Sequence, residues 1–394
     1  MGDDVGALGT YRRIKADPAD WFDAAEVRKA KDYQRPLTVA RIVSLVLSAA
    51  FIVAMLLSGA ARWMADAVGA SNWVMRLLAI VVGFTIAFEL VTLPISIWTT
   101  FAHEKKWGFS TETPRGFVVD LLKSFVLGSV LQFFIFAALF WVIRSTELWW
   151  LWGWLTFFVF MVGLAMIFPI VLAPIFNRFT PLDDEELNRR IHGIVEGAGM
   201  KISGVQVMDA SKRTRKDNAY FAGLGGTRRV VIYDNLLDQP HEVIGSVVAH
   251  ELGHWRRKHV ARQIVLATIT TLFLFGVLYA TSRWEGLLDT LKIASIGEPE
   301  ALPLILLVFS VVTSATGVVQ AWVSRAFERQ ADLDSLELTR DHDAFVETHR
   351  GLATRNLSDL VPSWFKYLRL SHPPAAERLQ LGKLWLESQA STKP

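Results

Sequence analysis

The sequence predicts a mainly α-helical protein that crosses a membrane several times and carries a small cytoplasmic α/β portion. Three observations predict it. Six apolar segments approach the roughly 17 to 25 residues needed to cross a bilayer: 37 to 57, 75 to 98, 120 to 143, 149 to 171, 264 to 280 and 302 to 323. A long polar stretch separates the fourth from the fifth, and a second polar region runs from 324 to the end. The 394 residues are 52% hydrophobic, with 15 Trp, 25 Phe and a mean hydropathy of +0.31, which is too apolar for a soluble domain.

Five regions follow in order: an N-terminal segment 1–36, a four-span region 37–176, a cytoplasmic α/β part 177–262, a two-span hairpin 263–323 and a C-terminal part 324–394. The first is rich in charge and has no apolar run suited to a cleavable signal, so it is expected to stay. Its "DPADWFDAAEVRKAKDYQ" reads as an amphipathic surface helix with Asp17 as cap and Pro18 in the first turn. Lys and Arg concentrate before the first span, in the second connection (Lys105, Lys106, Arg115) and from Arg178 to Arg262, whereas the odd connections hold few. The positive-inside rule therefore puts both termini and the long polar stretch in the cytoplasm. Trp63, Trp73 and the Trp cluster at 149 to 154 suit the interfacial belts. Glu89, Gln132 and Gln320 sit inside spans, where polar groups face a polar interior or a neighbouring helix rather than lipid.

Chemistry enters at "VVAHELGHWRRKH", residues 247 to 259. On a helix, positions four apart share a face about 6 Å apart, so His250 and His254 can grip one metal with Glu251 beside it. Cysteine is absent, so any metal must be held by His, Asp or Glu. Zinc bound by two imidazoles needs a third protein ligand and an open position for water, whose proton Glu251 would take and pass to a leaving amine. His259 lies five residues beyond His254, off the metal-binding face.

The fifth and sixth spans form a hairpin, so a residue just past the sixth returns to the side where His254 lies. Straight helices rising 1.5 Å per residue would carry His254 and Glu328 roughly 15 and 8 Å beyond their spans, close enough to meet. Asp332 shares the Glu328 face and can bond the outer nitrogen of a ligating His. Spacing alone leaves "RAFERQADLDSLE" equally readable as an exposed charged helix. "NAYFAGLGG" suggests a strand and a Gly-rich turn leading into the strand "RRVVIYD".

"AHELGHW", "SRAFERQAD" and "SHPPAAERL" together resemble the integral-membrane zinc endopeptidases typified by the type I CAAX prenyl protease. The likeness extends through "EKKWGFSTETPRGFVVDLLK", "APIFNRFTPLDDEEL" and "DNAYFAGLGGTRRVVIYDNLL", and so over most of the chain beyond the first span. It implies a ring of long helices around a water-filled chamber with a small zincin-like α/β portion, although the eukaryotic members have seven spans where this sequence supports six. It implies one zinc ion on His250, His254 and Glu328, with Glu251 as base. It further implies that His372 and Arg378 stabilise the oxyanion, and that Asn218, Ala219 and Tyr220 line a strand edge where a peptide pairs in extended form.

The reading is a zinc endopeptidase cleaving peptides or membrane-associated proteins at the cytoplasmic face of a bilayer, with the composition pointing to a bacterial cell membrane. Heat-shock-type quality-control proteases share the zinc motif and the "HPP" turn, and a metal-binding transporter is the alternative from another class. Glu251 argues against transport, because a carrier has no need of a base beside its metal. The net charge of +3 supports no nucleic-acid partner.

Overall fold

In the computed structural model, which describes residues 13–69, 72–223 and 228–391, six helices are long and apolar enough to span a bilayer. They are Ala24–Leu57, Trp73–Lys106, Pro114–Ser145, Trp149–Phe176, His259–Ser282 and Pro299–Thr339. Each packs on its two neighbours in chain order, and the sixth packs back on the first, so the six close into a ring. Ring closure needs no seventh span. The helix Ala60–Ala67, which packs on the second span, is too short to cross. Large apolar side chains on the spans, such as Leu90, Phe134, Val159 and Ile269, are exposed, as a lipid surrounding favours. Glu89 and Gln132 are half-buried, and Gln320 lines a cavity with Gln263 and Ser324 between the last two spans.

The spans outrun their apolar segments, and this changes the N-terminal reading. Asp17 does cap a turn at Pro18, accepting from the Ala19 N–H at 2.9 Å, but that turn is a single 3-10 turn, Pro18–Asp20. The helix proper starts at Ala24 under a capping box of Asp23 and Glu26 and runs unbroken into the first span. It is no separate surface helix: Phe22 and Ala30 are buried against Ala353, Leu360, Ala376 and Leu379 of the C-terminal part. In the same way Leu302–Thr339 is one 38-residue helix, so positions 36 and 323 mark where composition changes and not where the chain breaks.

The α/β portion holds four strands, β1 (Phe179–Pro181), β2 (Gly204–Met208), β3 (Ala219–Ala222) and β4 (Arg229–Tyr233), in the order β1-β2-β4-β3. β2 and β4 are parallel; the two outer pairs are antiparallel. The central "VVI" of β4 can be apolar throughout because the strand is central and covered on both faces. Val230 and Ile232 face the helices Glu185–Gly197 and His241–Arg256, while Val231 meets Met208, Ala210 and Ala222. Gly223 turns the chain after β3 at φ 85°; the rest of the predicted Gly-rich turn, 224–227, lies outside the described residues. Arg213 fastens this portion to the ring, donating from Nε to Asp120 on the third span at 2.6 Å. Lys216 adds a tie to Glu104 and the Tyr33 hydroxyl.

Candidate metal centre and cleft

The helix His241–Arg256 is built by its apolar face. Val243, Ile244, Val247, Val248 and Leu252 recur at helical spacing and are buried, most of them against the sheet. The straight run assumed from the sequence does not occur. Lys258 takes the left-handed conformation at φ 55° and turns the chain into the fifth span at His259. Arg257 secures the corner with a two-pronged ion pair to Asp334 on the long helix, 2.6 and 3.0 Å.

Gly253 decides how close these two helices come. A Cβ there would lie 2.8 Å from the Ala331 Cα, a backbone atom that cannot yield, so only glycine permits this contact. The approach brings Glu328 between the two histidines: its carboxylate oxygens stand 3.3 Å from His250 Nε2 and 3.4 Å from His254 Nε2. The two imidazole nitrogens are 3.3 Å apart, and one ligand atom from each of the three residues lies within 4.8 Å of the others. Glu328 Oε2 is buried without a hydrogen-bond partner, an arrangement that a cation satisfies. Two imidazoles and a carboxylate are a donor set suited to zinc.

A second layer of polar groups stands behind the first. Asp332 Oδ1 accepts from His250 Nδ1 at 2.8 Å, as its spacing from Glu328 suggests. Arg378 donates from Nε and Nη2 to the same carboxylate, 2.8 and 2.5 Å, so the guanidinium expected at the oxyanion has its main contact behind His250. His349, for which the sequence carries no signal, approaches Asp332 at 3.4 Å from the helix His342–Arg355. His259, set aside as a ligand, sits 3.0 Å from the outer nitrogen of His254 and 2.9 Å from Gln330 Oε1.

This nest is strongly anionic. Burial disfavours a charged His250, yet hydrogen bonds to Asp332 and Glu328 outweigh it and push the pKa up to about 10. Burial pushes the Glu251 carboxyl above the ordinary range, while the neighbouring histidines restrain the rise. Burial holds His349 down to about 4 despite Asp332 beside it.

A cleft opens in front of the nest, lined by His250, Glu251, His372, Arg378, Asn218 and Ala219 among others. The His372 side chain is 62% exposed, with Nε2 3.4 Å from Glu328 Oε1, so it faces the cleft and the metal centre together. β3 is an edge strand. Because the Tyr233 N–H donates to the Asn218 carbonyl, antiparallel alternation turns the backbone groups of Ala219 and Phe221 to the open edge. The Ala219 N–H is met by its neighbour's Asn218 Oδ1. Strand alternation sends the Tyr220 side chain to the other face of the sheet from Ala219, onto Met208 and Tyr233.

With this geometry, the profile of Peptidase family M48 matches residues 181–383, just over half of the chain. The chain belongs to peptidase family M48. The profile described as CAAX prenyl protease N-terminal, five membrane helices, matches residues 10–178, where the described residues hold four helices long enough to span. The CAAX prenyl protease 1 homolog of Oryza sativa subsp. japonica is 32% identical over 323 residues, 79% of this chain and 74% of the relative. A Bacillus subtilis (strain 168) protein described as uncharacterized metalloprotease YhfN is 29% identical over 377 residues, 93% and 87% of the two chains. The crystal structure of S. mikatae Ste24p superposes at a TM-score of 0.83 over 96% of both chains, at 24% identity, and shows the same fold. The family membership and the six-helix ring make this a multi-pass membrane zinc metalloendopeptidase of the CAAX protease type. The quality-control and transporter readings are not favoured by these matches.

Proposed function

We propose that one zinc ion, held by His250, His254 and Glu328, serves hydrolysis of a peptide laid along the open edge of β3, with Glu251 as general base. The observation that carries this reading is the convergence of the three donor atoms within 4.8 Å, beside a cleft that both His250 and Glu251 line. Bound there, zinc would acidify a water and polarise the scissile carbonyl. Glu251 takes the proton from the attacking water and delivers it to the leaving amine, a task suited to a carboxylate whose pKa is raised by burial. His372, facing the cleft beside Glu328, donates to the oxygen on which negative charge develops. Arg378 and Asp332 hold the His250 ring, and Asn218 and Ala219 offer backbone and side-chain groups to an extended peptide.

The Lys and Arg asymmetry supports a cytoplasmic site and cytoplasmic termini, and the likeness to a Bacillus protein over 93% of the chain supports a bacterial cell membrane. Substrates are peptides or membrane-associated proteins, and the name of the Oryza relative makes prenylated tails the first to try. The test is cleavage of a quenched fluorescent peptide, prenylated and plain, by purified protein and Glu251→Gln, with zinc quantified in both. Zinc in both and cleavage only by the unaltered protein is the expected result. Zinc in both and cleavage by neither across a broad peptide panel would overturn it.

A further inference from the structure

The two imidazoles of the metal centre are held from behind by different devices. His250 Nδ1 meets a carboxylate, Asp332, which is a familiar way to orient a ligating histidine. His254 Nδ1 meets another imidazole, His259, at 3.0 Å, and His259 in turn meets the side-chain oxygen of Gln330 at 2.9 Å. The direction of this chain follows from hydrogen counting. Gln330 Oε1 carries no hydrogen, so His259 Nε2 must be the protonated nitrogen. A neutral imidazole protonated at Nε2 has only a lone pair at Nδ1, so the hydrogen between the two rings belongs to His254. With its proton on Nδ1, His254 presents an Nε2 lone pair toward Glu328 and His250, which is the tautomer that binds a metal.

We infer that Gln330 and His259 form a positioning relay that sets the tautomer and ring orientation of His254 for metal binding. His259 is a positioning residue: it acts through His254 and does not itself reach the metal centre. Its own ring is fixed. It is buried and stacks on Phe327 with centroids 4.2 Å apart and planes 7° from parallel. It is also the first residue of the fifth span, directly after the left-handed corner at Lys258, while Gln330 stands two residues beyond Glu328 on the sixth-span helix. One short chain of hydrogen bonds therefore ties the zinc helix, the fifth span and the sixth-span helix together at the ligand. Because the relay contains no carboxylate, it orients His254 without adding negative charge to a nest that already holds Glu328, Asp332 and Glu251.

The inference rests on His254 being a ligand, and the experiment separates the two claims. Zinc affinity is measured by chelator competition on purified full-length protein, with thermal unfolding of the zinc-stripped protein as the folding control. His259→Phe keeps an aromatic ring for the Phe327 stack and removes the acceptor; zinc should bind about 10 to 100 times more weakly with the unfolding temperature little changed. His259→Gln, whose side-chain oxygen can accept from His254, should recover a large part of the loss. Gln330→Leu leaves His259 in place but frees it to adopt the other tautomer, and should weaken zinc by a smaller factor. His254→Ala is the control for the underlying reading. Unaltered affinity in His254→Ala overturns its assignment as a ligand. Loss in His254→Ala with unaltered affinity in His259→Phe, or equal losses in His259→Phe and His259→Gln, overturns the relay alone.

Discussion

The spanning ring and the layer around the metal centre obey opposite rules about what is buried. On the ring, large apolar side chains such as Val126, Phe134 and Val159 are exposed, and the windows that would cross the bilayer are at most 28% buried within the protein. In the layer, charged side chains are buried: Glu328, Arg329, Asp332, Asp334 and Glu377 are all at 4% exposure or less. The bilayer solvates the first group, so the ring needs only enough helix-to-helix contact to close. Water solvates neither the bilayer core nor the nest, so a buried charge persists only with partners. The difference teaches that precision in this protein is concentrated where charge is buried, and its perturbation should reveal that.

The largest effect belongs to the chemistry. Glu251→Gln should lower kcat by about 10²- to 10⁴-fold with zinc content unchanged, measured by peptide cleavage and metal analysis. A comparable loss from an apolar exchange on the lipid face, such as Val159→Leu, would break the contrast. Next is Asp332→Asn, which removes the charge shared by His250 and Arg378; zinc affinity should fall about 10- to 100-fold in chelator competition. Packing comes third. Gly253→Ala places a methyl 2.8 Å from the Ala331 backbone and should destabilise the protein by about 1–3 kcal/mol, whereas Gly276→Ala in the fifth span has nothing within 4 Å and should be neutral or mildly stabilising. Thermal unfolding in detergent of the pair sharpens the comparison directly.

The smallest effect is a pH slope. His349 is depressed to about 4 in the folded protein, against an ordinary value of about 6.5 unfolded. Between these values the unfolded chain binds more protons, so its contribution to stability is present above pH 6.5 and is lost as pH falls toward 4. The unfolding temperature should decline over that window, and His349→Phe should flatten the decline. An unchanged slope in the variant would remove His349 from the account.

How much could be read in advance follows the same division. Span number and approximate position were legible because lipid solvation depends on local composition alone. The HELGH pair and the Glu328–Asp332 pair were legible because helical spacing is a local property too, and the family likeness tied the two segments together. The side on which the Tyr220 ring packs was not legible, because a resemblance names positions on a strand while alternation decides which face each side chain takes. Arg378 was expected at the oxyanion from its place in "SHPPAAER"; its principal partner, Asp332, lies on another helix, which spacing within one segment does not show. His259 was set aside as a ligand on its five-residue spacing; the corner at Lys258 returns its ring to His254 from another direction.

The amino-acid sequence by itself determined that this chain spans a membrane by helices, that its metal chemistry must use oxygen and nitrogen donors, and which helix faces could carry them. Each of these is set by composition or by spacing within a single segment. Tertiary structure alone decided that six helices close a ring without a seventh, that Gly253 lets two helices approach until three donors converge, and that His349, Arg378 and His259 stand behind the ligands. Those outcomes depend on contacts between residues far apart in the chain, where the cost of burying a charge is offset only by partners that folding delivers.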